Sequence, residues 1–187
     1  MRLKREFFIR DVLVVAPELV GKIIGICRGN PPVVAHAMIT EVEAYRGEED
    51  LACHARFGKT KRNAVMYEPG GLLYVYLVYG LHWMLNIVTG PINEPQAVLI
   101  RGMRIFTPGV GAAFTPGVEI DGPGKVTQYL GVDKSFYGED LTQSHRIWVA
   151  SNAISYKGTL SQTYRIGVNY AGEWARKPWR WVYCATP

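Results

Sequence analysis

An α+β fold around a mostly antiparallel sheet is what this sequence predicts, on three observations. The chain has 187 residues, 48% hydrophobic and 20% charged, which suits a single domain over residues 1–187 with a sizeable core. Short runs rich in Val, Ile and Tyr recur between Gly and Pro turns, as the strands of hairpins do. Helical patterning is confined to two short stretches.

Taken in order, Asp11 caps a helix that runs through Leu19 and stops at Gly21, with Pro17 late in it to bend it or force an early start. Residues 22–27 read as a strand, Gly29-Asn30-Pro31-Pro32 as a turn, and 33–45 as a long second strand ended by Arg46-Gly47. A second apolar pair, 72–79 and 81–88, flanks Gly80, and 97–101 form a fifth strand after Gly90-Pro91. Residues 102–122 are rich in Gly and Pro and hold Phe-Thr-Pro-Gly-Val twice, at 106–110 and 114–118. That stretch reads as a loop with an internal duplication, since two copies are too few to stack into a continuous core. A helix over 124–130 closes at Gly131, and short strands at 147–150 and 162–166 precede an aromatic and basic tail.

The 21 Lys+Arg against 16 Asp+Glu leave a net charge of +5 and a pI near 9.1. That balance leans toward an anionic partner, although a surplus of this size also arises from solvated lysines. Cys27, Cys53 and Cys184 lie far apart, without a Cys-x-x-Cys pair or an even count for a disulfide framework, so a reducing compartment is expected. The four histidines are equally scattered, and neither a metal nor another cofactor is expected. Asp11, Pro17 and Lys22 interrupt the first apolar stretch, so we expect no signal peptide, no membrane span and a soluble intracellular protein.

Chemistry concentrates in a few places. Along the second strand Glu41, Glu43 and Tyr45 project to one face while Thr40, Val42 and Ala44 project to the other. Two carboxylates about 6 to 7 Å apart on one face perturb each other's ionisation, which suits a general base. Read alone, two wet surface glutamates are the commoner case. Tyr74, Tyr76 and Tyr79 crowd the next strand, with Tyr76 and Tyr79 three apart and hence on opposite faces. Tyr45 and Tyr76 suit a clamp on a flat aromatic ligand, and Tyr79 beside Gly80 would stand out of the fold; packing in the core is the competing reading.

Between these strands, the segment from His54 to Asn63 carries Arg56, Lys59, Lys61 and Arg62 around a glycine, a loop fit for backbone phosphates or simply a solvated one. Asn86 and Arg101 interrupt apolar strands and need a partner or a ligand. Gly122-Pro123-Gly124-Lys125 lacks the Ser or Thr that a phosphate-binding Walker loop places after its lysine; Val126 stands there. Phosphate can still rest on the amides that open the following helix, with Lys125 helping. The tail from Glu173 to Trp181 reads as a DNA contact or as packing, and packing suits its tryptophans better.

Assembled, these residues resemble the alkyladenine (3-methyladenine) DNA glycosylase family. The resemblance rests on Glu41-Val42-Glu43-Ala44-Tyr45, His54-Ala55-Arg56, Arg62-Asn63, the segment from Leu73 to Gly80, Leu85-Asn86-Ile87, Ala97 to Arg101, Gly122 to Lys125 and Gly172 to Pro178, in family order over most of the chain. It implies a curved antiparallel sheet with a protruding hairpin that enters the DNA minor groove. It implies Glu43 as the general base, and Tyr45, His54 and Tyr76 lining a pocket for a flipped base. Tyr79 would fill the gap that base leaves, Asn86 would exclude guanine's exocyclic amine, and Arg101 would reach the DNA backbone or the flipped nucleotide.

The implied activity is monofunctional: hydrolysis of the glycosidic bond of alkylated or deaminated purines in double-stranded DNA by a Glu-activated water. Such an enzyme works as a monomer without cofactors, in the bacterial nucleoid or a eukaryotic nucleus. The competing classes are a silent lesion-binding protein, which would lack a working base, and a nucleoside hydrolase, which would need neither the wedge tyrosine nor the basic loop. Leu81-His82-Trp83, Cys53 and the duplicated loop depart from the family pattern and carry no role over.

Overall fold

The computed structural model describes residues 1–29, 31–108, 114–151 and 158–185. Its elements in chain order are α1 (Arg5–Phe8), α2 (Val12–Leu19), β1 (Ile23–Arg28), β2 (Val33–Arg46), β3 (Leu73–Val78), β4 (His82–Val88) and β5 (Gln96–Pro108). They are followed by β6 (Phe114–Asp121), α3 (Pro123–Leu130), β7 (Ile147–Ala150), β8 (Gly158–Thr163) and β9 (Arg180–Ala185). The strands join in one antiparallel sheet of order β3-β4-β5-β2-β1-β7, with β6 against β5 and β9 against both β2 and β8. The sheet curls into a half-barrel with few helices, the α+β class expected.

Two long strands cause the curl, because each changes partner along its length. β2 faces β5 on one edge; on the other it pairs first with β1 (Val33 to Met38) and then with β9 (Glu41 to Glu43). β5 pairs with β4 through Ala97 to Leu99 and with β6 from Gly102 onward. The β2–β5 register slips twice near the changeover, on either side of Glu41, so that Thr40 and Arg101 are each left over from the pairing. Bulges of this kind bend a strand and re-aim its side chains. Gly102 sits in the bulge because a Cβ there would meet Glu41 Cβ at 2.9 Å and Thr40 Oγ1 at 3.0 Å.

One sheet face carries the main core, in which Ile24, Ile26, Val42, Ala44, Ile87 and Ile100 meet Val15 and Leu19 of α2 and Val126 and Leu130 of α3. The caps are those expected: Asp11 accepts from Leu13 N at 2.8 Å, and Gly131 ends α3 in the left-handed region. Pro17 lies inside α2 near its end. On the opposite face, Cys53, Ala55, Met66 and Tyr74 form a smaller core with Tyr45 and Tyr76 against it.

Several expectations need correction. Residues 102–108 and 114–121 are not loop but the outer half of β5 and all of β6, paired in a hairpin; β-branched and aromatic residues on a shared ladder outweigh the Gly and Pro content. Residues 109–113, in which the first copy of the duplication ends, lie outside the described residues. The strand expected at 162–166 is β8, and it ends at Thr163, so Arg165 and Ile166 turn away from the sheet. The tail supplies a strand, β9, that fills the free edge of β2, with Trp181 in the main core. Its tryptophans pack: Trp174 and Trp179 meet edge to face at 5.7 Å.

Candidate active site

The alternation of β2 places Glu41 and Glu43 on one face, and both reach the same arginine. Arg101 Nε lies 2.9 Å from Glu41 Oε1 and 3.4 Å from Glu43 Oε1. Glu41 is held a second time, by Arg180 Nε of β9 at 2.6 Å. It is therefore neither wet nor free, and its ion pairs aim Arg101 at Glu43.

Glu43 is completely buried. Its Oε2 accepts from Tyr45 Oη at 2.8 Å and its Oε1 from Ile166 N at 2.7 Å. Desolvation dominates its ionisation and holds the carboxyl above the usual value of 4.5, against the opposing pull of Arg101, Ile166 N and the Tyr45 hydroxyl. The sheet thus keeps a carboxylate at raised proton affinity without leaving it unpaired.

The partners of Glu43 open onto a cavity of about 460 Å³ lined by Tyr45, His54, Arg62, Tyr76, Tyr79, Asn86, Arg101, Ile166 and Tyr170 among others. A space of this size holds a small heterocycle. His54 and Tyr76 meet with ring centroids 4.5 Å apart, and Tyr76 and Tyr74 at 5.0 Å. His54 Nδ1 bonds Tyr74 Oη at 2.8 Å, while burial and the nearby Arg62 and Arg56 push its pKa down to about 4, so the imidazole is neutral. Asn86 spends its Nδ2 on Tyr74 O at 3.0 Å from a buried position.

Tyr79 corrects the simple alternation. β3 ends at Val78, and Tyr79 and Gly80 both take positive φ, 52° and 69°, with Leu81 N closing on Val78 O. This turn, not the opposite sheet face, carries Tyr79, so it borders the same cavity as Tyr76 while 92% exposed. An aromatic residue at positive φ costs strain that natural hairpins usually avoid with Asn or Gly.

The basic segment is held by one buried amide. Asn63 Nδ2 donates to His54 O and Gly58 O, both at 3.0 Å, and its Oδ1 accepts from Thr60 N at 2.6 Å. Arg62 from this loop covers Tyr76 at 5.2 Å, and Arg56 lies over Tyr170 at 5.2 Å. Lys59 is exposed and 3.8 Å from Glu68. Lys61 is exposed and pairs with no carboxylate among the described residues. Neither lysine lines the cavity, nor does Lys125, exposed on α3. Sequence reasoning missed Ile166, Arg165, Asp50 and Arg180: three of them are far from Glu43 in the chain, and Asp50, though near it, meets the site through Arg165.

Among the described residues no group of His, Cys, Asp and Glu is placed to hold a metal, and no helix is long and apolar enough to cross a membrane. A buried carboxylate behind an aromatic cavity, with arginines in its lining, marks a candidate active site for a flat aromatic ligand. Residues 6–187 match the family described as methylpurine-DNA glycosylase, and the chain belongs to that family, whose members are DNA-repair glycosylases that bind DNA. Provisionally named 3-methyladenine DNA glycosylases resemble it over nearly their whole length. The one from Rickettsia felis is 39% identical over 96% of this chain and 92% of its own. Those from Psychrobacter cryohalolentis (37%, over 98% and 91%) and Natranaerobius thermophilus (36%, over 100% and 98%) are similar in extent.

Proposed function

We propose that the protein is a monofunctional, monomeric, single-domain glycosylase of base-excision repair. Its substrates in this reading are 3-methyladenine, 7-methylguanine and hypoxanthine in duplex DNA, and its product is an abasic site. The observation that carries the reading is the environment of Glu43: buried, raised in proton affinity, and joined to Arg101, Ile166 and Tyr45, all three of which line the cavity.

A base within a duplex is out of reach, so the nucleotide must rotate out at a cost of a few kcal/mol, least for a damaged or mispaired base. Tyr79, already projecting from its turn, fills the vacated stack as a wedge. The extruded ring lies against Tyr45, Tyr76 and neutral His54, where stacking contributes about 1 to 3 kcal/mol and favours electron-poor alkylated purines. Asn86 disfavours guanine because its amide would face the exocyclic amine, a penalty that 7-methylguanine shares and offsets because its cationic ring leaves readily. Arg56, Lys59, Lys61, Arg62 and Lys125 neutralise phosphates without reading sequence.

Water enters on the Arg101 and Ile166 side, gives its proton to Glu43 and attacks the anomeric carbon. The glycosidic electron pair departs with the base, and the Glu43 charge stabilises the oxocarbenium-like sugar. Cationic 3-methyladenine and 7-methylguanine leave as neutral bases; hypoxanthine needs a proton or hydrogen bond at its leaving nitrogen. No lysine among the described residues lines the cavity, so a Schiff-base route with strand cleavage is not expected.

The test is excision by the wild type and by Glu43→Gln on duplexes with one hypoxanthine and on methylated DNA, with alkali used to reveal abasic sites. We expect breaks with the wild type alone and unchanged abasic-DNA binding in the variant. Excision by the variant at the wild-type rate would remove Glu43 as the base, and folded wild type that binds DNA yet cuts neither substrate would point to a silent lesion binder.

A further inference from the structure

Arg165 has no part in the reaction just described, yet it is wholly enclosed. Its side chain and that of Asp50 are both 0% exposed. The guanidinium donates to Asp50 Oδ2 at 2.5 Å and Oδ1 at 2.9 Å, and to Ala44 O and Trp174 O, each at 2.9 Å. Its Cζ also lies over two rings, 5.0 Å from the centroid of Tyr45 and 5.0 Å from that of Trp179. Its Nε finds no partner among the described residues, an unmade hydrogen bond that an apolar side chain in this slot would avoid.

What surrounds Arg165 is what holds Glu43. Tyr45, under the guanidinium, donates its hydroxyl to Glu43 Oε2. Ile166, the next residue in the chain, donates its amide to Glu43 Oε1. Ala44, whose carbonyl Arg165 grips, lies between Glu43 and Tyr45. Residues 164–168 are outside any strand or helix and Gly167 follows at positive φ, so Arg165 is the anchor of a segment without a ladder of its own.

We propose that Arg165, clamped by Asp50, is a positioning residue that fixes the Glu43 carboxylate at the cavity by holding Tyr45 and the Ile166 amide in register. The inference rests on Glu43 acting as the base. A planar fork suits the task where a lysine does not, since only the guanidinium can bond Asp50 at two points and lie over Tyr45. An ion pair that merely secured the fold would be replaceable by neutral groups of similar shape, whereas misplacement of a reacting group by a fraction of an ångström slows the chemical step.

The test compares single-turnover excision of a methylated duplex by wild type, Glu43→Gln, Arg165→Lys, and the double variant Arg165→Met with Asp50→Asn. The double variant removes both charges and keeps an acceptor for one of the two amides that Asp50 also caps, Ala52 N on Oδ1 and Arg46 N on Oδ2. We expect both Arg165 variants to lose about thirtyfold or more in maximal rate. The enzyme concentration at half-maximal rate and the affinity for abasic DNA should stay within about threefold, because neither residue contacts the duplex in this reading. A folded Arg165 variant at nearly the wild-type rate overturns the proposal, as does loss of fold in both, which would make the pair purely structural. Glu43→Gln at full rate removes the reading of Glu43 itself; a slow Glu43→Gln beside fast Arg165 variants removes only the role of Arg165.

Discussion

The Glu43 side chain is fully buried in the fold without substrate, and that has a sign in two measurements. Its carboxyl is raised in the folded state by desolvation, so the stability it contributes is present below about 4.5 and is lost as pH rises through the folded value. The melting temperature of Glu43→Gln minus that of wild type should therefore climb between about pH 4 and pH 8; a fall in that difference would mean that Arg101 and the two hydrogen-bond donors, Tyr45 and Ile166 N, outweigh burial. Excision needs the ionised form, so the acid limb of the rate should have its midpoint above 4.5, and a midpoint at or below it would contradict the burial argument. His54 behaves oppositely: held down to about 4, it should show no imidazole titration by NMR near pH 6.5, and the stability linked to it is lost as pH falls from 6.5 toward 4. The residue types at these positions were legible in the sequence, Glu43 and Tyr45 on one face included. Their burial was not, because exposure depends on what covers a strand face and the cover comes from residues 164–181.

At the scale of elements, the β3–β4 turn shows strain kept at a place of use. Tyr79 at φ 52° stands where Asn is tolerated far better. Tyr79→Asn should stabilise the protein by about 1 kcal/mol in chemical denaturation while weakening binding to abasic duplex; equal or tighter binding would remove the wedge role. The turn itself is readable from Gly80, but the period-2 alternation ends with β3 at Val78 and does not extend to Tyr79. The second element of consequence is the double bulge beside Glu41, which puts Arg101 between two glutamates. Nothing local announces it, since a bulge is a mismatch between two strands and is written in neither alone.

For the whole molecule, the net charge of +5 includes cations already engaged within the fold, among them Arg101, Arg165 and Arg180. DNA affinity should rest on the remaining exposed ones. Lys61→Ala should lower the slope of log affinity against log salt by about 0.9 and weaken all duplexes alike. An unchanged slope would place Lys61 off the DNA. The curled sheet holds this basic loop and the Tyr79 turn around one cavity mouth, an arrangement visible only after β9 has closed against β2.

By itself the sequence determined the α+β class, most of the strands, the caps at Asp11 and Gly131 and the residues that carry the family resemblance. Each of these is local: a period, a turn residue, a motif. Only the tertiary structure decided that the Gly- and Pro-rich stretch after Arg101 continues a strand, that Glu41 belongs to two arginines, and that Arg165 meets Asp50 across 115 positions of chain. Pairing across such distances is chosen by which edges and faces remain to be covered once the sheet has curled, and no window of sequence contains that choice.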